Sequence, residues 1–322
     1  MGKSFVFIGD TKVGDAVTEN LIEAGFLAAP DMGSADVVFT FCESQTATED
    51  VYFETGGLIQ KGKKGAYLVD LGSTSPAFSK ELQAVALVND MHAVDAPLFV
   101  RDIVIPGTFS RRDNLAIFVG GEQDDFVQLT AFFDAIATTV DYRGAAGSGQ
   151  MTKAVLSLHD TAQVISLMEA EALCRIAGYD PVSTIDAAMT TETVSPRIAA
   201  LHRAVTDHAF TSGYTLQILM GELVAALSAA DDIDLILPQA EAAMHLLDLL
   251  AIIGGAEMSP AALSLLYGDE AECAQYGLDW TRAEATYGSD GHDDECNCDD
   301  DECDCDDHDD DYAGGFGGYS AN

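Results

Sequence analysis

The spacing of apolar residues divides the chain into a first half that mixes strands with helices and a second half that is helical. The first half contains short runs rich in Val, Phe and Ile, separated by segments with helical spacing. That order is typical of a parallel sheet covered on both faces. The predicted strands are residues 4–8, 36–41, 65–70, 85–88 and 115–119, and the predicted helices are residues 15–24, 49–60 and 124–137.

From residue 150 to about residue 268 the strand signals nearly disappear. Long segments rich in Ala, Leu and Met replace them, and Gly or Pro residues separate these segments. The first of the predicted helices, residues 150–176, is unusually long for a globular protein. A low-complexity tail rich in Asp and Cys begins near residue 289, and its composition is typical of disorder.

The turn after the first predicted strand carries part of a dinucleotide-binding fingerprint. Gly9 would allow the tight turn and Gly14 the close packing of the following helix. Thr11 stands where a middle glycine would let the backbone approach a pyrophosphate. Asp31 is the candidate acid for the cofactor ribose. From these residues alone, a nucleotide site and an ordinary strand-to-helix turn are equally supported.

The segment after Asp31 is too short for the usual continuation of such a fold. Only residues 32–35 separate Asp31 from the strand that begins at residue 36. A crossover between parallel strands needs about a dozen residues or more. We therefore expect residues 26–31 to form either a displaced edge strand or a loop, without the helix that ordinarily follows the ribose-binding acid.

Several sequence blocks occur in the order and spacing of a known enzyme family. They are Ile8-Gly9, Val13-Gly14, Asn20-Leu21, Ala24-Gly25, Ala35-Asp36-Val37-Val38, Gly56-Gly57-Leu58, Val69-Asp70-Leu71-Gly72-Ser73-Thr74-Ser75-Pro76, Asp95-Ala96-Pro97, Val119-Gly120-Gly121 and Gly147-Ser148-Gly149-Gln150-Met151-Thr152-Lys153. Over about residues 4–270 the chain resembles the beta-hydroxyacid dehydrogenases, which include 3-hydroxyisobutyrate dehydrogenase and relatives of 6-phosphogluconate dehydrogenase.

The resemblance implies a truncated Rossmann-like, doubly wound α/β domain over residues 1–147, an all-helical substrate and dimerisation domain over residues 148–288, and the tail over residues 289–322. It also implies hydride transfer between NAD or NADP and a small hydroxy acid or its carbonyl counterpart, in a homodimer or homotetramer. Lys153 matches the lysine that assists proton transfer at the substrate oxygen. The other residues implied are Ser157 beside that lysine, Gly9, Thr11, Val13, Gly14, Asp31 and Ser73 at the cofactor, and Asp95 and Gly149 at the substrate. An acid at Asp31 would favour NAD over NADP.

Three departures from the family pattern bear on catalysis. Where the family has Ser-Gly-Gly to hold the substrate carboxylate, this chain has Phe99-Val100-Arg101, and Arg101 either pairs with a carboxylate or faces solvent. Ser157 replaces an asparagine one helical turn after Lys153, and Gly221-Glu222 replaces a Lys-Asp pair. These changes suit an enzyme remade for another substrate, or a scaffold that has lost catalysis.

The charge balance excludes some classes of partner. Lysine and arginine number 15 against 54 acidic residues, for a formal net charge of -39. Such a chain repels nucleic acid and anionic membrane surfaces, so we expect neither as a partner. The longest apolar run is too short to span a bilayer, and the first residues lead straight into a strand without a signal-peptide pattern. We therefore expect a cytoplasmic protein.

The acidic tail is a second candidate for chemistry. It contains 14 acids between Asp290 and Asp311, and four thiols at Cys296, Cys298, Cys303 and Cys305. Four thiolates could gather a transition metal, although the C-x-C spacing is not that of ordinary zinc knuckles. A plain solvated tail is the alternative. Two functions thus remain from sequence: an NAD(P)-dependent dehydrogenase, or an eroded dehydrogenase-fold scaffold whose tail binds metal or a basic partner.

Overall fold

The computed structural model describes residues 3–191 and 195–287, and it contains a mixed sheet covered by helices on both faces, followed by a helical region. The strands are β1 (Ser4–Gly9), β2 (Leu27–Ala28), β3 (Val37–Phe41), β4 (Tyr67–Asp70), β5 (His92–Asp95), β6 (Leu98–Val100), β7 (Leu115–Gly120) and β8 (Thr139–Gly144). Their order in the sheet is β2-β1-β3-β4-β5-β7-β6, and β8 pairs with β7.

Twelve α-helices are present in the described residues. They are α1 (Thr11–Glu23), α2 (Gln45–Phe53), α3 (Leu58–Lys61), α4 (Pro76–Val88), α5 (Gln123–Ile136), α6 (Ser148–Ile176), α7 (Pro181–Thr191), α8 (Pro196–Thr206), α9 (Leu216–Asp231), α10 (Pro238–Leu250), α11 (Glu270–Gln275) and α12 (Thr281–Tyr287). Residues Arg112–Asn114 and Pro260–Tyr267 form 3₁₀ helices, and Ala251–Gly255 forms a π-helical turn. No single described helix is long and apolar enough to cross a membrane; the bent pair Pro238–Gly255 and Pro260–Tyr267 meets that test only when taken together.

Strands β1 to β5 are parallel, whereas β7 is antiparallel to β5 and β6, so the sheet is mixed rather than wholly parallel as predicted. The reason lies in the chain after Asp95. It passes through Ala96-Pro97 directly into β6, which continues in the direction of β5. Both strands therefore pair antiparallel with β7, Asp95 with Gly120 and Leu98 with Ile117. The connection from β6 to β7 is a loop with one short turn, and only a crossover helix would have made β7 parallel.

The alternation of buried side chains explains why helices cover both faces. Phe5, Val37, Phe39 and Val69 belong to the core that α1 and α5 complete, and the same core continues into the helical region. Residues one position away, such as Val38 and Leu68, belong to a second core that includes side chains of α2, α3 and α4. Because successive side chains of a strand point to opposite faces, each strand is buried on both sides.

The shortened segment between the first strands has the form expected from its length. β2 is a two-residue edge strand, parallel to β1, in which Ser4 pairs with Leu27 and Phe5 with Ala28. Residues 29–36 then lead to β3 through turns, and this described stretch holds no helix. The expectation of an edge strand without a crossover helix is confirmed, and this is the truncation of the Rossmann-like sheet.

One predicted strand was wrong. Residues 85–88 form the last turn of α4, which starts at the Ser75 cap and Pro76, and the strand lies instead at His92–Asp95. Leu87 and Val88 are largely exposed, at 71% and 84%. An apolar run at the end of a helix therefore has the same sequence pattern as a buried strand.

Candidate active site

Lys153 lies in the second turn of α6 and is almost completely buried, with 2% of its side chain exposed. Its Nζ atom lies 2.6 Å from Oε1 of Glu222, which α9 contributes and which is 6% exposed. Helices α6 and α9 pack against each other, so this ion pair forms where the helical region meets the sheet. The lysine picked out by its sequence motif therefore has an acid partner from a distant part of the chain.

Ser157 completes this group on the Glu222 side. Its hydroxyl donates a hydrogen bond of 3.2 Å to Oε2 of Glu222, whose other oxygen faces Lys153. Lys153 and Ser157 share one face of α6, being one turn apart, and both are buried. The structure thus brings together the two predicted catalytic residues, but it links them through Glu222, which the sequence motif had marked only as a departure.

Burial and charge act on Lys153 in opposite directions. Removal of the ammonium group from water lowers the pKa of Lys153 below its ordinary value, and the Glu222 carboxylate partly offsets that effect. We take the net direction to be downward, because the side chain is almost wholly desolvated. An amine with a lowered pKa can exchange a proton with a substrate oxygen near neutral pH.

The first turn of α6 is fixed by Asp95, at the end of β5. Its buried carboxylate accepts hydrogen bonds from the backbone N–H groups of Gly147, at 2.8 Å, and Gln150, at 3.0 Å. A Cβ on Gly149 would lie 2.4 Å from the carbonyl oxygen of Phe118, so only glycine fits this contact. Asp95 and Gly149, predicted at the substrate, are therefore packed together at the helix start, where they position Lys153.

A second buried ion pair lies close to the first. Arg197 of α8 is 5% exposed, and its Nη1 atom lies 3.0 Å from Oδ2 of Asp160 and 2.6 Å from the carbonyl oxygen of Val100. The Phe99 ring lies beside both cations, with its centroid 5.4 Å from Lys153 Nζ and 5.3 Å from the guanidinium carbon of Arg197. Arg197, Asp160 and Phe99 were not among the predicted site residues. The signal available in the sequence was an arginine within a predicted helical region of a chain that has only 15 lysine and arginine residues.

The cofactor turn has the glycine geometry that the fingerprint requires. Gly9 has a φ of +126°, and a Cβ there would lie 1.9 Å from the carbonyl oxygen of Phe41. A Cβ on Gly14 would lie 2.6 Å from the Phe7 ring, so this glycine allows α1 to pack closely on β1. Thr11 is the first residue of α1 and is exposed, so its side chain, which a glycine would lack, lies on the surface of the turn.

The amino terminus of α1 is already capped by a carboxylate. Oδ1 of Asp10 accepts a hydrogen bond of 2.8 Å from the backbone N–H of Val13, a buried residue. Lys12 stands beside it and forms an exposed ion pair of 2.9 Å with Glu257 of the helical region. A helix amino terminus favours anions, so a pyrophosphate at this turn would meet both a repelling carboxylate and an attracting ammonium group.

The carboxyl ends of β1, β3 and β4 border a cleft that opens to solvent. Its sheet side includes Asp10, Lys12, Phe41 and Ser73, and its helical side includes Gln217, Gly221 and Glu222. Ser73 is the predicted cofactor residue that lines this cleft from β4. The glycine turn, the helix terminus and this position at the carboxyl ends of parallel strands fit a dinucleotide.

Asp31 lies past the end of β2, which is the edge strand next to β1. Its carbonyl oxygen accepts hydrogen bonds from the backbone and the hydroxyl of Ser34, and the residue is exposed. A Cβ on Gly33 would lie 3.4 Å from Oδ1 of Asp31, and β2 ends at Ala28 beside Phe5, four residues before Gly9. The role of Asp31 at a ribose stays a prediction.

Arg101 lies away from the lysine. It is exposed, and its Nη2 atom donates a hydrogen bond of 2.7 Å to the hydroxyl of Thr139 at the beginning of β8. The structure therefore places Arg101 with Thr139 rather than with Lys153 and Ser157. The four predicted metal ligands, Cys296, Cys298, Cys303 and Cys305, lie outside the described residues.

A buried carboxylate network joins the sheet to α6. Asp70, at the end of β4, accepts hydrogen bonds from the backbone N–H of Gly72 at 3.1 Å and from the hydroxyl groups of Thr74 at 3.0 Å and Thr40 at 3.3 Å. The side chain of Gln150 donates a further bond of 3.4 Å. Complete burial raises the pKa of Asp70 to about 6 despite these donors. Through Gln150, this network connects the end of β4 to the first turn of α6.

Comparison with known proteins agrees with this geometry. Residues 9–144 match the NAD binding domain of 6-phosphogluconate dehydrogenase. An uncharacterized oxidoreductase, YkwC of Bacillus subtilis, is 30% identical over 220 residues, which cover 68% of this chain and 75% of that protein. The 2-hydroxy-3-oxopropionate reductase of Escherichia coli is 26% identical over 233 residues, or 71% of this chain and 77% of that protein.

The fold has clear counterparts among solved structures. The 3-hydroxyisobutyrate dehydrogenase of Mycobacterium tuberculosis superposes with a TM-score of 0.68 and 19% identity, covering 84% of this chain and 100% of that chain. At this identity the likeness concerns the fold, and the family follows from the sequence matches. The chain belongs to the beta-hydroxyacid dehydrogenase family, and it is an NAD(P)-dependent oxidoreductase.

Proposed function

We propose that the chain transfers hydride between NAD(P) and a small β-hydroxy acid or its carbonyl counterpart, with Lys153 as the acid and base. The observation that carries this proposal is the buried pair of Lys153 and Glu222 beside the cleft at the carboxyl ends of the strands. A buried amine with an acid partner can hold or release a proton without exchanging it freely with water. The names and activities of the relatives support the class of substrate.

Each residue has a defined part in this scheme. When bound, the nicotinamide supplies or accepts the hydride. In reduction, the ammonium group of Lys153 donates a proton to the carbonyl oxygen, and in oxidation the neutral amine accepts the hydroxyl proton. Glu222 stabilises the ammonium form at 2.6 Å, and Ser157 orients Glu222 through its hydrogen bond of 3.2 Å.

We propose NAD rather than NADP as the cofactor. Asp31 is exposed past the end of β2, and a carboxylate at the cofactor ribose would repel a 2′-phosphate. Gly9 and Gly14 supply the turn, with Thr11, Val13 and Ser73 around it. Titration of the full chain with NADH and with NADPH, followed by fluorescence, tests this: tighter binding of NADPH contradicts the role given to Asp31.

A variant of Lys153 distinguishes an effect on catalysis from an effect on cofactor binding. Lys153→Met should abolish turnover and leave NADH binding unchanged, because the lysine acts on the substrate oxygen. Lys64→Met is the matched control, since Lys64 is exposed and pairs with Asp90 at 2.7 Å. No binding of either cofactor at millimolar concentration would favour the alternative of a scaffold that has lost catalysis.

We also propose that the chain is cytoplasmic, with residues 1–147 as the cofactor domain and residues 148–288 as the substrate domain. Self-association in a dimer or tetramer is supported by large apolar side chains of α6 that are exposed in the single chain, among them Val155, Leu173 and Ile176. Light scattering of purified protein tests the oligomer, and a monomer at all concentrations contradicts it.

Metal binding by the tail is a separate proposal that rests on sequence. The four thiols at Cys296, Cys298, Cys303 and Cys305 are the candidate ligands. Metal content of the full chain should fall when all four become serine. Equal content in both proteins contradicts the proposal.

A further inference from the structure

The Arg197 guanidinium group has unused hydrogen-bonding capacity although it is buried. Of its five N–H donors, those on Nη1 face the Val100 carbonyl at 2.6 Å and Asp160 at 3.0 Å, and Nη2 reaches the Tyr214 hydroxyl at 3.5 Å. The Nε–H has no partner among the described residues. A buried N–H without an acceptor is unfavourable, so a group that accepts from it would be bound strongly.

The groups that hold a substrate carboxylate in related enzymes are absent from this chain. Phe99-Val100-Arg101 stands where the family has Ser-Gly-Gly, and Arg101 contacts Thr139. Gly221 stands where a lysine is usual, and a Cβ at Gly221 would lie 2.9 Å from the carbonyl oxygen of Glu43. Arg197 is the buried cation that remains near Lys153, since both lie beside the Phe99 ring.

Phe99 occupies the space next to both cations. Its neighbours Leu98 and Val100 are buried, whereas Phe99 is partly exposed and its ring lies over both cations. A ring held by contacts with two cations and a tilted neighbour, Phe118, can change rotamer without opening the β6–β7 pairing. A molecule in its place would reach an ammonium group with one end and a guanidinium group with the other.

We propose that the guanidinium group of Arg197, whose Nε–H has no partner among the described residues, binds the carboxylate of the substrate after the Phe99 ring turns away from Lys153 and Arg197. The substrate class is then a β-hydroxy acid or its carbonyl counterpart whose carboxylate lies on Arg197 and whose oxygen at the reacting carbon lies on Lys153. Phe99 limits the size of that molecule, because the space it vacates is that of one side chain. This inference rests on the proposed function and adds to it the residue that binds the carboxylate end of the substrate.

Asp160 competes with the substrate for the same guanidinium group. With all four groups ionised, Lys153, Arg197, Asp160 and Glu222 carry no net charge, so a carboxylate brings one extra negative charge into a buried region. Conversion of Asp160 to Asn removes that charge with almost no change of volume. Carboxylate binding should therefore become tighter in D160N and weaker in a variant of Arg197.

The test is calorimetric binding of 3-hydroxyisobutyrate and of its methyl ester to the full chain saturated with NADH, where no turnover occurs. We expect the wild-type chain to prefer the acid. Arg197→Gln should weaken acid binding by about 30- to 100-fold and ester binding by less than about threefold, because only the acid uses the charge. D160N should strengthen acid binding, and Phe99→Ala should strengthen binding of both ligands. Arg101→Gln, at the exposed arginine, is the matched control and should change neither.

Other outcomes overturn the inference. These are equal binding of acid and ester by the wild-type chain, no binding of the acid, or an equal loss of both ligands in R197Q with an unchanged melting temperature. If R197Q fails to fold, the opposite shift expected in D160N decides the question. In each case NADH binding and turnover of Lys153 variants report separately on the proposed function, so the two failures are distinguishable.

Discussion

Oε1 of Glu222 lies 2.6 Å from Nζ of Lys153, and solvent reaches almost none of either side chain. The two residues are far apart in sequence and meet because α6 packs along α9. Lys153 therefore titrates under two opposing influences, desolvation and a close carboxylate. In the proposed reaction, the proton exchanged with the substrate oxygen belongs to this pair.

Glu222→Gln should move the pH dependence of turnover to lower pH. The carboxylate stabilises the ammonium form of Lys153, so its removal lowers the pKa of Lys153 further. In oxidation, which needs the neutral amine, the rising limb of the rate profile moves to lower pH. In reduction, which needs the ammonium form, the falling limb moves the same way. The measurement is kcat against pH in both directions.

Glu241→Gln, an exposed residue of α10, is the matched control for the loss of one carboxylate and should leave the profile in place. A profile that is the same in E222Q and in the wild-type chain would show that Lys153 is not the group that titrates.

Asp10→Asn should tighten NADH binding. Asn keeps the side-chain cap on Val13 N–H but removes the charge at the amino terminus of α1, where a pyrophosphate would lie. We expect an affinity gain of about 5- to 10-fold at low salt, and a smaller gain at high salt because screening weakens the repulsion. Asp15→Asn, on the exposed side of the same helix, should have little effect. Weaker NADH binding in D10N contradicts the placement of the pyrophosphate at this turn.

Asp70→Asn should lower the free energy of unfolding at neutral pH by about 1–3 kcal/mol, because an amide cannot accept from all four donors that face the carboxylate. The difference should depend on pH. A raised pKa, from 3.8 to about 6, means that the folded chain binds the proton more tightly. The contribution of Asp70 titration to stability is therefore present below pH 3.8 and lost as the pH rises to about 6.

Asp90→Asn is the contrasting control, since the exposed Lys64 beside Asp90 lowers the pKa of that carboxyl. Its contribution should instead be lost as the pH falls. Chemical unfolding of the three proteins from pH 7 down to below pH 3.8 measures both effects. Parallel curves for wild type and D70N would contradict the burial of an ionisable Asp70.

Gly221→Ala should weaken the contact between the sheet and α9. The added Cβ would lie 2.9 Å from the carbonyl oxygen of Glu43, a backbone atom that cannot move alone. We expect a loss of about 1–3 kcal/mol in the free energy of unfolding. Ser228→Ala, on the same helix, should change it by less. An unaltered melting temperature in G221A would indicate that the two parts separate easily at this contact.

Sequence reasoning found the residues that a local motif marks and missed those that packing brings together. The glycines at positions 9 and 14 follow from a turn and a close helix contact, and Lys153 follows from the resemblance of residues 147–153 to the lysine motif of the family. Glu222 and Arg197 reach the site from α9 and α8, so no spacing in the sequence connects them with Lys153. Their signal was weaker: Glu222 is an acid in the largely apolar helix α9, and Arg197 is one of few bases in the chain.

The errors in the predicted fold have a similar origin. Residues 85–88 are apolar because they end α4, and their exposure cannot be read from composition. The antiparallel direction of β7 depends on the loop after Arg101. This loop is irregular, so its course could not be predicted from the sequence. By contrast, the shortened segment after Asp31 was predictable because chain length alone excludes a crossover helix.

That shortened segment has a consequence for how affinity is distributed along the cofactor. With turns in place of a helix between β2 and β3, the adenosine end of a dinucleotide has protein on fewer sides than in an intact sheet of this kind. Most of the binding energy must then come from the pyrophosphate turn and the nicotinamide end. Nicotinamide mononucleotide should accordingly lose less affinity, relative to the complete dinucleotide, than it does in relatives that keep the helix.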